Sequence, residues 1–285
     1  MILSSRDAGD FPGVDSSITN YYPSLLFSRH RHKLASINVG YKTYTLDKKF
    51  TLIGVCFQGV DGKAMTINEA FPMSEGMTKA ITSTAADNIQ VMGEDGQYTI
   101  YSLFNGQYGK VNNPSYKMEL DGKWVRAAGQ ECTDTVSPGQ AFWYVSKTAA
   151  TTPHTITVAG QVLMTSSSSP KDFTGTYNLY ANPYACEVPL NGGLSISGSI
   201  KAMTSTAADN IQVMGDNGQY TIYFLSNGQY GKVNNPSYKQ ELDGSWLRSA
   251  GQACDDKIPA GASFWYVSRS EEGNISIANP LVNND

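Results

Sequence analysis

Charged side chains are scarce. Asp, Glu, Lys and Arg make up 16% of the 285 residues, against roughly 25% in a typical soluble domain. Exposed helix faces are built largely from Lys and Glu, so this shortage argues against a helical fold. Basic residues form no stripe and the formal net charge is −4, which excludes a nucleic-acid backbone as the expected partner. No apolar run approaches the ~20 residues that span a bilayer, so no membrane insertion is expected. The opening MILSSRDAGDFPGVDSS lacks the basic stretch and apolar core of an export signal, and no route of export is legible in it.

The usual marks of catalysis are also sparse. There are three histidines, His30, His32 and His154. The first two share a face if the chain is extended there, but no third metal ligand accompanies them. No G-x-S-x-G elbow occurs. The Gly-Lys of NGQYGKVNN lacks the spacing of a phosphate loop and reads as a tight turn. Acidic candidates are Asp87, Glu119, Asp121 and Asp134, mirrored by Asp209, Glu241, Asp243 and Asp256. A glycosidase would need two of them to face each other across a cleft, but Asp121 precedes glycine and reads as a turn, and Asp87 reads as a cap or turn group. No catalytic residue, metal or cofactor is expected.

What the chain has in quantity is Ser, Thr, Asn, Gln and 17 tyrosines, a mix that favours strands and contact surfaces. It also has a copy of part of itself. TSTAADNIQVMG occurs at 82–93 and again at 204–215. Aligned at an offset of 122, residues 79–147 and 201–269 differ at 18 of 69 positions, so 51 match. Two copies are too few for a solenoid, so each belongs to a domain of its own.

The differences are informative. Ser102 and Phe104 become Phe224 and Ser226, so a ring moves two places along the chain. In a strand that keeps it on the same face. Ser137-Pro138-Gly139 becomes Pro259-Ala260-Gly261, a proline slipping one step within a turn. Asp95-Gly96, Asn105-Gly106 and Asp121-Gly122, with counterparts Asn217-Gly218, Asn227-Gly228 and Asp243-Gly244, read as tight hairpin turns. Between them, 89–92, 97–103, 123–127 and 141–146 read as strands, and short helical turns fit 67–71 and 84–88, the latter capped by Thr84. In Phe142-Trp143-Tyr144 and Phe264-Trp265-Tyr266 the outer rings point one way and the tryptophan the other, so one side faces a core.

These observations predict an all-β protein of two tandem antiparallel sandwich- or barrel-like domains. The expected boundaries are an N-terminal arm at 1–33, domain one at 34–162 and domain two at 163–285, with MTSSSSPKD (164–172) as a flexible linker. Cys56, Cys132, Cys186 and Cys254 permit one disulfide per domain or four buried thiols, and both readings stay open.

YNLYANPY (177–184), DNIQV (87–91, again at 209–213), a tyrosine-rich hairpin, a tryptophan and PGQAFWYV (138–145) make up one composite pattern. The pattern resembles β-rich modules of uncharacterised bacterial proteins, which occur in tandem on cell-surface or extracellular proteins. The resemblance covers most of 36–285 and implies a surface location but no activity.

GQYGKVNNPSYK is unaltered between copies, at 106–117 and 228–239. It is either buried between elements, or a contact surface, or too recently copied to have drifted. The candidate contact residues are Tyr108, Asn112, Asn113, Tyr116 and Trp124, and their counterparts Tyr230, Asn234, Asn235, Tyr238 and Trp246. The basic cluster Arg29, His30, Arg31, His32 and Lys33 is the candidate assembly arm, able to add to a neighbour's sheet.

The expected function is a non-enzymatic structural protein that associates with itself and with other structural proteins, as a virion component or a bacterial surface filament or layer. A pair of carbohydrate-binding modules is the second reading, with Trp124/Trp246 or Tyr108/Tyr230 exposed in a shallow groove to hold a glycan. A glycan-processing enzyme is the third.

Overall fold

The structure is a computed structural model and describes residues 37–93, 96–215, 217–248, 251–270 and 272–282. The fold is all-β and antiparallel. The first half contributes β1 (Val39–Leu46), β2 (Phe50–Gly54), β3 (Phe57–Gln58), β4 (Met65–Thr66), β5 (Asn88–Met92), β6 (Tyr98–Leu103), β7 (Gln107–Lys110), β8 (Asn113–Tyr116), β9 (Trp124–Val125), β10 (Thr135–Val136), β11 (Ala141–Val145) and β12 (His154–Val162). The second half contributes β13 (Lys171–Thr174), β14 (Tyr177–Ala181), β15 (Val188–Pro189), β16 (Leu194–Ser197), β17 (Asn210–Met214), β18 (Tyr220–Lys232), β19 (Asn235–Leu247), β20 (Lys257–Ile258), β21 (Ser263–Val267) and β22 (Glu272–Ile277).

Among the described residues no sheet mixes strands of the two halves. Each half has one five-stranded sheet, β2-β11-β5-β6-β9 and β14-β21-β17-β18-β19, and one three-stranded sheet, β1-β12-β3 and β13-β22-β16. Alternation along the strands puts Phe142 and Tyr144, and Phe264 and Tyr266, wholly inside. Trp143 and Trp265 lie on the opposite, outer face of the same strands and are half-buried.

The two cores share a design that extends beyond the matching letters. Asn68 accepts from the Trp124 backbone N–H at 2.7 Å and donates to the carbonyls of Trp124 and Cys132. Asn191 does the same for Trp246 and Cys254. Asn68 belongs to a four-residue helix, Ile67–Ala70, closed by a capping box between Thr66 and Glu69. Asn191 lies in a tight turn at the matching place, where its own backbone is extended.

Three sequence expectations are corrected. Neither Asn227-Gly228 nor Asp243-Gly244 ends a strand: the first lies within β18 and the second within β19. β18 runs through Asn227-Gly228, where Gly228 has a positive φ (78°), and the extra residues of the irregular pairing lie opposite it on β19, between Trp246 and Tyr238. The chain reverses instead at Val111-Asn112 and Val233-Asn234, where Lys110 pairs with Asn113 and Lys232 with Asn235. Residues 84–88 form no helix; Ala85 and Ala86 both donate to Thr82, making an isolated turn.

The expected linker is largely pinned in place. Buried Asn279 donates to Leu163 and Thr165, Ser168 exchanges hydrogen bonds with Ile277, and Lys171 already belongs to β13. A serine-rich string reads as flexible from composition, but here its backbone groups meet the end of a strand.

Candidate contact surfaces

The unaltered stretch forms an antiparallel hairpin in each half, β7 with β8 and the outer parts of β18 and β19. It is not buried within its own domain. Val111 and Val233 at the tips are 66% and 73% exposed, and Tyr116 and Tyr238 are 59% and 56% exposed. Asn112, Asn113, Asn234 and Asn235 are exposed beside them. Tyr108 and Tyr230 are half-buried on the other side of the ribbon. Each packs against a glycine backbone, Gly129 or Gly251, and under a lysine ammonium, Lys117 at 5.9 Å or Lys239 at 5.3 Å. Pro114 and Pro236 sit one pair inside the closing residues, facing Gly109 and Gly231. At that register the absent N–H would point outward, so the hairpin edge resists strand addition and offers side chains instead.

Trp124 and Trp246 are corrections. Their relative exposures are 0% and 3%, and they belong to the cores, Trp124 standing edge-on to Tyr144 at 6.0 Å. Neither can present a ring to a sugar. Alternation in the short strand 123–127 leaves open which way Trp124 faces, and the amide of Asn68 that holds its backbone lies 56 residues away. Arg29, His30, Arg31, His32 and Lys33 lie outside the described residues.

The acidic candidates do structural work. Asp87 and Asp209 have no solvent exposure. Asp87 accepts from Tyr144 Oη at 2.8 Å, Lys147 N at 2.7 Å and Thr78 N at 3.1 Å. Asp209 accepts from Tyr266 Oη, from Arg269 N at 2.6 Å and from Ile200 N at 3.0 Å. His154 Nε2 lies 3.9 Å from Asp87 Oδ2, a neighbour that sequence gave no reason to expect. Asp121 and Asp243 pair with Lys79 and Lys201. Asp134 holds Tyr101 Oη at 2.7 Å beside Arg126. Burial and this carboxylate push the Tyr101 phenol up, and Tyr223 is pushed up in the same way beside Asp256. Glu119 and Glu241 are exposed. Among the described residues no three His, Cys, Asp or Glu side chains gather as a metal site.

All four cysteines are buried and none is in a disulfide. Burial pushes the Cys186 thiol up to about 11 and raises Cys132 and Cys254, so these three stay protonated and inert near neutrality.

The halves meet at equivalent positions. Gly54 faces Ala141 in its sheet and Ala181 faces Ser263 in the other, and a Cβ on Gly54 would stand 2.3 Å from that of Ala181. Tyr44 Oη reaches the Gly261 carbonyl at 3.2 Å, and Lys171 Nζ reaches Pro138 O at 3.4 Å. The contact is thus nearly two-fold, like pairing with like. Beside it lies a cleft of about 550 Å³ lined by Met92, Gln140, Lys171, Asp172, Leu179 and Tyr180 among others.

No protein-family model, curated protein or solved structure matches this chain. The reading of its surfaces therefore rests on their geometry.

Proposed function

We propose that this chain is a non-enzymatic structural protein that associates with copies of itself into a higher-order assembly, as a virion component or a bacterial surface filament or layer. The observation that supports this reading is the hairpin arm. Its tip valine is the most exposed large hydrophobic residue described in each copy of the duplicated stretch, and the arm is unaltered between the copies. Other exposed positions have drifted: Met118, Lys123, Glu131 and Thr135 became Gln240, Ser245, Ala253 and Lys257. A two-stranded ribbon with exposed valine and tyrosine is marginal in water alone, and gains order by touching something.

The seam between the halves bears on how such an assembly grows. A like-with-like contact closes on itself and does not propagate. Growth needs further surfaces, and each chain carries two matching sets. Negative-stain electron microscopy of the concentrated chain tests this. Regular tubes, sheets or rings are expected; a field of isolated 30.9 kDa particles would overturn the reading.

A further inference from the structure

We infer that the outer faces of the two five-stranded sheets are the main interface between copies, each seated on the same kind of face of a second chain. This rests on the self-association proposed above and names its surface.

Strand parity defines the two faces. Trp143 stands level with Leu52 and Gln90, and Gln90 with Ile100, giving a row across four strands. Trp265 stands level with Leu179 and Gln212, and Gln212 with Ile222, giving the same row in the second half. Counting by twos from these rows, none of the outward positions of β2, β11, β5 and β6 is Asp, Glu, Lys or Arg. The same holds for β14, β21, β17 and the matching part of β18. A face without ions can meet its like without stripping water from charges.

The middle of each face is apolar and open. Ile100 and Ile222 are each 42% exposed, and Phe50, Tyr98, Tyr177 and Tyr220 are exposed around them. Phe50 stands edge-on to Trp143 and Tyr177 edge-on to Trp265, both at 6.4 Å and 89°. Ring pairs already set in place lose little freedom on contact, which suits them to anchor an interface.

Continuity with the seam identifies the occupant. Gly54 and Ala181 are themselves outward positions of β2 and β14, so the fold already joins these two faces at one end. Met92 and Leu179, also outward, line the cleft beside that contact. Beyond the seam the middle of each face, Tyr98 with Ile100 and Tyr220 with Ile222, is uncovered, while Asn88 and Val145, and Asn210, Phe224 and Val267, are buried at the far end, and a second copy offers the same surface in return. Four strands ~4.8 Å apart and five residues long present on the order of 300 Å², below the ~800 Å² per partner of a standard interface. Each contact is therefore weak alone, and a chain with two of them gains strength through multivalency.

The test uses the full chain in three forms: wild type, Ile100→Lys with Ile222→Lys on the faces, and Val111→Asp with Val233→Asp at the hairpin tips. Light scattering against concentration reads assembly, and thermal melts verify folding. The expected result is that the face variant needs about tenfold or more higher concentration to assemble, and loss in both variants also supports the faces. If the face variant melts early, Tyr98→Ser with Tyr220→Ser trims exposed rings alone and replaces it. A face variant that assembles like wild type, while the tip variant does not, overturns the inference and leaves self-association standing. A wild type that never assembles overturns both. A monomeric wild type retained on an insoluble neutral polysaccharide, with retention lost in the face variant, makes the faces glycan platforms and also overturns the inference.

Discussion

Asp87 and Asp209 each lie beneath a tyrosine hydroxyl with two backbone N–H groups aimed at the carboxylate. All three partners donate, so an amide in this place would set donor against donor. Asp87→Asn should cost roughly 2–4 kcal/mol of stability, measured by urea denaturation; a loss within experimental error would contradict this role. Lys171 makes the opposite prediction. Burial pulls its amine down to about 8, below the roughly 10.4 of an unfolded lysine. Between those values the unfolded chain holds more protons than the folded one, so stability rises with pH across that window. Below it, folding bears the full cost of a charged amine at the seam. Lys171→Met should stabilise the chain at pH 7 by up to about 3 kcal/mol and flatten the rise between pH 8 and 10, as read from melts in a pH series. At this scale the sequence was only partly legible. Parity put Phe142 and Tyr144 on one side and Trp143 on the other, because a period of two needs only neighbours; that the pair faces the core is visible only in the fold. The depth of Trp124 and the bonds of Asp87 depend on partners dozens of residues away, and no local pattern carries those.

The moving ring links residues to elements. Phe104 packs with Leu120 and Val125, and Phe224 packs with Leu242 and Leu247. These neighbours are the same positions 122 apart, so one small core is filled from two places on one strand. Phe104→Ser alone should cost about 3 kcal/mol. Adding Ser102→Phe should recover most of that, a coupling that a double-mutant cycle measures directly; simple additivity would show that the two positions do not share a cavity. A second exchange crosses strands. Leu46 faces His154 in the first half, whereas Phe173 faces Gly273 in the second. Either His154 or Phe173 then packs on the buried tyrosine, Tyr144 or Tyr266. Strand existence was readable from Val, Ile and aromatic runs between glycine-bearing turns. Strand continuity was not, because Asn-Gly and Asp-Gly suit a hairpin turn and an irregularly paired strand alike, and only the register of the opposite strand separates them. The hairpin tip was missed for the same reason: Val-Asn carries no turn signature of its own.

At the scale of the molecule, two separate cores meet through a narrow seam. Ala185 and Ala260 of the second half fall within the first half's core, while the close approach of Gly54 to Ala181 leaves no room for a side chain. Gly54→Val should pry the halves apart, raising the radius of gyration in small-angle X-ray scattering while each half keeps its strand content by circular dichroism. An unchanged radius would mean that the seam tolerates the added bulk. The seam engages only one end of each outer face, and the hairpin arms stand free of it, so the chain retains two like sets of surfaces for other copies. Sedimentation velocity across a concentration series tests that claim most directly. The account predicts a boundary that moves steadily beyond the 30.9 kDa species as concentration rises, and a single unchanging 30.9 kDa boundary throughout would contradict it.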